Sequence, residues 1–349
     1  MVVVVGDVIN DIIVRPQGPI DVGTDTPSEI ERSPGGSGAN QAAWLAALRT
    51  PVRFAGRVGA PDAAYHRAAL EQFGVDTWLT CDDAVATGTI VVLVSADGER
   101  SMFTDRGANR GLRAADLPAR LLDDARLLHV SGYQLFEPGT RSAVRHLWAT
   151  ALEAGVPTSV DPGSLAGLRE VGRQSFLEWT SGAQIVFPNL DEGRLLTGRD
   201  QPDAIVATLL ETYPVVALKL GAAGALIAAA DGSRFPVAAE PAEAVDSTGA
   251  GDAFCAGFLT TWVRGGDLGE CALNAVKASA RATGQVGARP RPSRAGDDGG
   301  CDLRRRVGIL AGTLGGIGTA AGGRRQEPGR ERPFRSEYTP QGIVIDEDS

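Results

Sequence analysis

The stretch Ala244-Val-Asp246-Ser-Thr248-Gly249-Ala250-Gly251-Asp252-Ala-Phe-Cys-Ala-Gly-Phe-Leu259 is a polar, glycine-rich turn that runs directly into an apolar helical segment. At such a junction the amides of Gly249, Ala250 and Gly251 stand at a helix N-terminus with little side-chain cover. The unpaired N–H groups and the helix dipole favour an anion there, and a phosphate fits. A carboxylate beside a phosphate is costly if it does nothing else. Asp252 makes sense as a base that takes the proton from an attacking hydroxyl. The local alternative is a glycine turn in which Asp252 is a capping residue.

Outward from this segment, strand and helix patterns alternate. Val2 to Val5 is an apolar β-branched run ending at Gly6, the pattern of a strand buried on both faces of a mostly parallel sheet. Similar runs are Leu127 to Val130, Thr158 to Val160, Gln184 to Phe187 and Val215 to Leu218, with helical segments at Thr140 to Ala154 and Leu168 to Thr180 between them. This alternation predicts an α/β fold, a sheet covered by helices. Pro16 to Ser33 and Thr87 to Asp105 break the rhythm. The second predicts an antiparallel hairpin turning at Asp97-Gly98, and together they read as a small β-sheet flap.

Three further segments carry candidate chemistry. Ser33-Pro-Gly35-Gly36-Ser-Gly38-Ala-Asn40 lets a ligand approach the backbone closely, and Asn40 offers a donor and an acceptor to sugar hydroxyls. Asp11, just past the first strand, is read as a carboxylate accepting two hydroxyl protons at the carboxyl edge of the sheet. Pro188-Asn189-Leu-Asp191-Glu192 has capping-box spacing; its functional reading puts Glu192 near a hydrated Mg²⁺, a hard cation that favours oxygen. Lys219, Gly221 and Gly224 follow a strand at a place where a nucleotide could pass, although a hairpin uses the same residues.

Composition removes other classes. The 349 residues are 43% hydrophobic and 22% charged, enough apolar material for a large core, and the net charge of −9 disfavours a binder of nucleic-acid backbone. No apolar run reaches the ~18 residues of a membrane span, and the start lacks a secretory signal, so the expectation is a cytoplasmic protein with no membrane partner. Cys81, Cys255, Cys271 and Cys301 form no C-x-x-C pair, and His66, His129 and His146 have no ligand spacing. There is no P-loop motif. Gly316-Ile-Gly318-Thr-Ala-Ala321 loosely matches a dinucleotide fingerprint but is followed by Gly-Gly-Arg-Arg-Gln-Glu-Pro, which cannot continue as the required helix.

The four segments, in this order, resemble the ribokinase-like (PfkB) family of carbohydrate and nucleoside kinases across about residues 1–290. The resemblance implies a three-layer α/β/α fold with a mostly parallel central sheet and a small β-sheet lid from about 15–33 and 87–106. Residues 291–349 would be a Gly/Arg-rich extension, expected to be poorly ordered. It further implies Asp252 as catalytic base, Gly249, Ala250 and Gly251 as the anion hole, and Asp11, Gly35, Gly36 and Asn40 on the substrate. Nucleotide contacts fall to Asn189, Lys219, Gly221, Gly224 and Gly251. Asn189 and Glu192 would organise Mg²⁺ through water, and the backbone at Asp246 and Thr248 is a place for K⁺. Arg106, at the end of the lid hairpin, is a further candidate for an anionic or polyhydroxyl substrate.

The expected activity is transfer of the γ-phosphoryl group of ATP to a primary hydroxyl of a sugar, with a homodimer through the lid. The alternatives are a nucleoside kinase, with Phe103 or Tyr133 stacking on a base, and a catalytically silent sugar sensor. The chain departs from the family pattern at Arg49, where a glycine usually ends the helix, at Ala60-Pro61-Asp62 with Tyr65, at Ile9-Asn10-Asp11, and at Ser37, where ribokinases have lysine.

Overall fold

The computed structural model describes residues 1–95 and 100–291. In chain order the strands are Val2–Val5 (β1), Ile9–Pro16 (β2), Ser28–Gly35 (β3), Val52–Gly59 (β4), Asp76–Asp82 (β5), Thr87–Val94 (β6), Arg100–Gly107 (β7), Leu127–Ser131 (β8), Thr158–Asp161 (β9), Ile185–Val186 (β10), Val215–Lys219 (β11), Ala225–Ala229 (β12) and Arg234–Val237 (β13). The helices are Ser37–Ala47 (α1), Ala63–Glu71 (α2), Tyr133–Phe136 (α3), Pro138–Glu153 (α4), Leu165–Val171 (α5), Arg173–Trp179 (α6), Leu190–Thr197 (α7), Pro202–Leu209 (α8), Ala250–Trp262 (α9) and Leu268–Thr283 (α10).

The main sheet has the order β13-β12-β11-β10-β9-β8-β1-β4-β5, parallel from β11 to β5, with β12 and β13 antiparallel at one edge. Its apolar runs are buried on both faces. Val2 and Val4 enter a core shared with α1, α9 and α10, while Val3 and Val5 enter the opposite core with α4 to α8. Successive side chains of a strand point to opposite faces, so an unbroken run of valine fits a strand covered on both sides. Each fully buried valine contributes about 1.5–3 kcal/mol.

The second, smaller sheet, β3-β2-β6-β7, is formed by the segments expected as the lid, and is called the lid below. Its register sorts residues by face. Asp11 pairs with Ser33, Ile13 with Val92 and Val92 with Met102, and these five line one cleft with Val245, Asp246 and Gly287. The other face carries Ile12, Val14, Ile30, Val91, Leu93 and Phe103, of which Ile30 and Phe103 are more than 60% exposed.

Several expectations are corrected here. Asp11 stands not in a loop beyond a parallel strand but within the lid strand β2, because the chain leaves β1 and enters the second sheet by Ile9. The helical segment Leu168 to Thr180 is two helices, α5 and α6, divided at Gly172, whose φ of 79° no continuous helix contains. Phe103 lies on the lid face opposite Asp11, so it cannot stack on a ligand held by that carboxylate. At Arg49 the usual glycine conformation is kept without the glycine: φ is 63°, and the preceding helix end is held by Arg264, whose Nη2 donates to the carbonyls of Leu48 and Arg49. The Asp97-Gly98 turn, the Gly316–Gly318 fingerprint and the extension from 292 onward lie outside the described residues. Among the described residues no helix is long and apolar enough to cross a membrane, and no cluster of three His, Cys, Asp or Glu side chains is arranged to hold a metal.

Candidate active site

Asp252 sits in the first turn of α9, directly after the Gly249 N-cap, which adopts φ 75°. Only glycine is comfortable in that conformation here: a Cβ at 249 would meet the carbonyl of Ala288 on the loop after α10. No side chain caps the first turn of this helix. The carboxylate of Asp252 is half-buried and held at both oxygens. Ser37 Oγ donates to Oδ1 at 2.7 Å and Asn40 Nδ2 donates to Oδ2 at 3.0 Å. Burial pushes its pKa up to about 7; the bonds from Ser37 and Asn40 oppose that rise, and the charges of Asp161 and Asp7 add to it.

The residues expected on the substrate side meet at the same place. Asn40, on the first turn of α1, is buried behind Asp252. Gly35 ends β3 against Asp11, whose carboxylate fills the space that a side chain at 35 would need, and Gly36 is the N-cap of α1. Burial and the Asp7 charge raise the pKa of Asp11 to about 7, against the pull of Arg289. Arg289, from the loop after α10, bridges the group: Nε donates to Asn40 Oδ1 at 3.3 Å and Nη2 to the Gly35 carbonyl at 3.1 Å. Asp11, Gly35, Asn40 and Asp252 are thus joined from lid to helix. Arg106 stands apart from this chain of contacts. Its guanidinium lies 4.6 Å from the centre of the Tyr133 ring and donates to the Tyr133 carbonyl at 3.4 Å, linking the lid to the end of β8.

Beside Gly251 opens a pocket of about 650 Å³ lined by Asn189, Lys219, Gly221, Gly224 and Ala250, with one wall from residues 239–244. Its walls are mostly small residues and backbone, with the ammonium of Lys219 as the cation. Lys219 Nζ pairs with Asp161 Oδ1 at 2.9 Å. Burial alone would lower the Lys219 pKa; the Asp161 carboxylate, together with Cys255 and Glu192, outweighs it and keeps the amine charged. The turn from Lys219 to Ala225 joins the antiparallel pair β11 and β12, so it is also a hairpin, and both readings of those glycines describe the same residues.

Asn189 and Glu192 form a reciprocal capping box on α7. The Glu192 amide donates to Asn189 Oδ1 and the Asn189 amide to Glu192 Oε2, both at 2.9 Å. Glu192 is 2% exposed, and burial raises its pKa against the opposing charge of Lys219. One of its oxygens is engaged by the cap. Such a donor set fits a Mg²⁺ that keeps most of its waters and leans on substrate phosphates, and does not fit a cage of protein ligands. The Asp246 carboxylate clamps two loops together, accepting from the Thr248 amide at 2.8 Å and the Gly287 amide at 3.0 Å. Asp246 and Thr248 line the 310 Å³ cleft under the lid together with Asp11.

Reading the residues in sequence missed five groups that touch this site: Asp7, Ser37 as a partner of Asp252, Gln41, Asp161 and Arg289. For Asp161 a signal existed. It ends a parallel strand at the carboxyl edge, where ligands of α/β folds bind. Arg289 lies at the end of the stretch that resembles the family, outside any of its quoted motifs. Its approach to Asn40, 249 residues away in sequence, has no local mark.

Residues 1–294 match the family described as pfkB family carbohydrate kinase. The chain is 33% identical over 271 residues to an ATP-dependent ribose-1-phosphate kinase of Halopiger xanaduensis, covering 75% of this chain and 84% of that protein. It is 31% identical over 266 residues to a fructokinase of Escherichia coli, covering 74% and 82%. Among solved structures, adenosine kinase from Sinorhizobium meliloti superposes with a TM-score of 0.75 at 26% identity, covering 83% of this chain and 95% of that one. The fold is ribokinase-like, and the chain belongs to the pfkB family of carbohydrate kinases, enzymes that transfer a phosphoryl group to a hydroxyl.

Proposed function

We propose that the chain transfers the γ-phosphoryl group of ATP to a primary hydroxyl of a sugar, with Asp252 as general base. The observation that carries this reading is the setting of one carboxylate. Asp252 is held by Ser37 and Asn40 at an uncapped helix N-terminus, one residue from the large pocket and one side chain, Asn40, from the Asp11 group. The acceptor hydroxyl gives its proton to Asp252, its oxygen forms a bond to the γ-phosphorus, and the bond to the β–γ bridging oxygen breaks, with ADP taking the electron pair. The amides of Gly249 and Gly251, with that of Ala250 shared with the Ser247 carbonyl at 3.2 Å, receive the charge on the transferred oxygens, and Lys219 meets the phosphates. Mg²⁺, when bound with the nucleotide, neutralises further phosphoryl charge, and Glu192 with Asn189 would hold it through water.

Asp11, Gly35, Gly36 and Asn40 bind the sugar hydroxyls in this reading. Closure of the lid, to which Arg106 is attached, excludes water as a competing acceptor. The loops joined by Asp246, including the backbone at Thr248, would hold a monovalent cation such as K⁺. A second copy would pack on the apolar outer lid face of Ile30 and Phe103. A nucleoside acceptor is the rival. It is supported by the likeness to an adenosine kinase and by the Tyr133 ring, a face on which a cation already stacks, the Arg106 guanidinium lying 4.6 Å from its centre. The test is ADP release with ribose, ribose 1-phosphate, fructose, 2-keto-3-deoxygluconate, adenosine and pseudouridine. Turnover with one or more sugars above the nucleosides supports the reading, a nucleoside preference supports the rival, and no acceptor-dependent ADP with any of them leaves a sugar sensor.

A further inference from the structure

Behind Asp252 lies a buried run of polar side chains whose hydrogen-bond directions are fixed by chemistry. His129, on β8, is fully buried, and burial lowers its pKa to about 4, so its ring is neutral at physiological pH. Asp161 is acceptor-only, so the amide nitrogen of Gln41, 3.0 Å from Asp161 Oδ2, is the donor there, and Gln41 Oε1 must face the other way. It faces His129 Nε2 at 3.1 Å, which therefore carries the ring proton, while His129 Nδ1 accepts from Ser159 Oγ at 2.8 Å. The same Gln41 nitrogen lies 3.3 Å from Ser37 Oγ, leaving the Ser37 hydroxyl to donate to Asp252 at 2.7 Å. The other oxygen of Asp161 takes Lys219, the cation of the large pocket.

We propose that Asp161 is a positioning residue for phosphoryl transfer: through Gln41 and Ser37 it keeps a hydroxyl donor aimed at the Asp252 carboxylate, and through Lys219 it ties that orientation to the nucleotide pocket. The proposal rests on Asp252 being the base. An ion pair between Lys219 and Asp161 alone would need neither Gln41 nor His129, and buried pairs are poor sources of stability compared with apolar packing. A run in which every donor has an acceptor and whose centre, Gln41, His129, Ser159 and Asp161, is buried specifies one arrangement, because each alternative leaves a buried polar group unpaired. The run ends on the half-buried carboxylate in the cleft.

The prediction concerns the ionisation of Asp252. The groups that face it are Asp161 and Asp7, whose charges raise its pKa, Ser37 and Asn40, whose bonds lower it, and Arg289, Tyr133 and Cys255. Replacing Asp161 by a neutral amide removes a negative neighbour and leaves Lys219 uncompensated, and both changes favour ionised Asp252. Removing the Ser37 hydroxyl does the opposite. The experiment is kcat/KM of the full chain from pH 5 to 9, with ATP and the best acceptor of the panel, for wild type, Asp161→Asn, Ser37→Ala and Asp252→Asn. In Asp161→Asn, kcat should fall on the order of tenfold or more, and the acid limb should move to lower pH by about half a pH unit or more. In Ser37→Ala the limb should move to higher pH. Ser37→Ala removes only a half-exposed hydroxyl, so it carries the test if Asp161→Asn does not fold. An inactive Asp252→Asn together with a wild-type limb in the foldable variants overturns the positioning role and leaves the base intact; a fully active Asp252→Asn overturns the base itself.

Discussion

Two helix N-termini in this molecule start from similar materials and end differently. At α7 the chain closes its own first turn: Asn189 and Glu192 exchange bonds with each other's amides. At α9 the N-cap is Gly249, the following residues are Ala250 and Gly251, and no side chain reaches back to the amides. The capped end is closed by its own side chains, whereas the open end offers the helix dipole and the amides of Gly249 and Gly251, the Ala250 amide meeting the Ser247 carbonyl at 3.2 Å, and Asp252 is mounted beside it. A third terminus, at α10, repeats the closed design with Asp267 and Glu270, neither of which lines the two clefts of the site. Among the described α-helices only α5, α7 and α10 have a side-chain cap, so what sets α9 apart is not openness alone but an open end on a glycine N-cap beside the large pocket, with Asp252 in its first turn.

Substitutions at these three termini should separate function from capping. The largest effect is expected at the open end. Asp252→Asn keeps size and hydrogen-bonding shape, so fold and nucleotide affinity should stay near wild type while kcat falls on the order of 10² or more; turnover assays and nucleotide titration check both. Glu192→Gln should come next. The cap keeps an acceptor for the Asn189 amide, so the melting temperature should hardly move, but kcat at low Mg²⁺ should drop roughly tenfold or more as the water-bridged cation loses its carboxylate. A Mg²⁺ titration of the variant against wild type reads this. The smallest effect belongs to Asp267→Ala, which should cost about 1 kcal/mol in urea unfolding and leave kcat unchanged.

The same contrast explains what could be read from the sequence. The main sheet was visible because strands buried on both faces are written as unbroken apolar runs such as Val2 to Val5, and the residues around Asp252 because glycine before an apolar helix is a local pattern. Asn189 and Glu192 illustrate an ambiguity that spacing cannot resolve, since the capping reading is fulfilled to the letter in a residue pair of which Asn189 also lines the large pocket. What escaped was set by long-range contact. Asp11 sits in a lid strand because Ile9 pairs with Gly35 and Gly88. Ser37 matters through a residue 215 positions away, and Arg289 through one 249 away. No periodicity encodes such pairs. Phe103, a candidate for stacking on a base, faces away from Asp11 because the face of a lid strand is decided by register against its neighbours, which alternation alone leaves undetermined.

The central claim is that one half-buried carboxylate, with a pKa raised to about 7 chiefly by burial, serves as the base. As a base it works only when ionised, so activity must rise with pH through that value and level off above it. The direct measurement is the pH dependence of kcat/KM for the acceptor in wild type beside Asp252→Asn. An acid limb centred near pH 7 that disappears with the asparagine is the predicted result; a wild-type profile flat from pH 5 to 9, or a limb that survives the substitution unchanged, contradicts it.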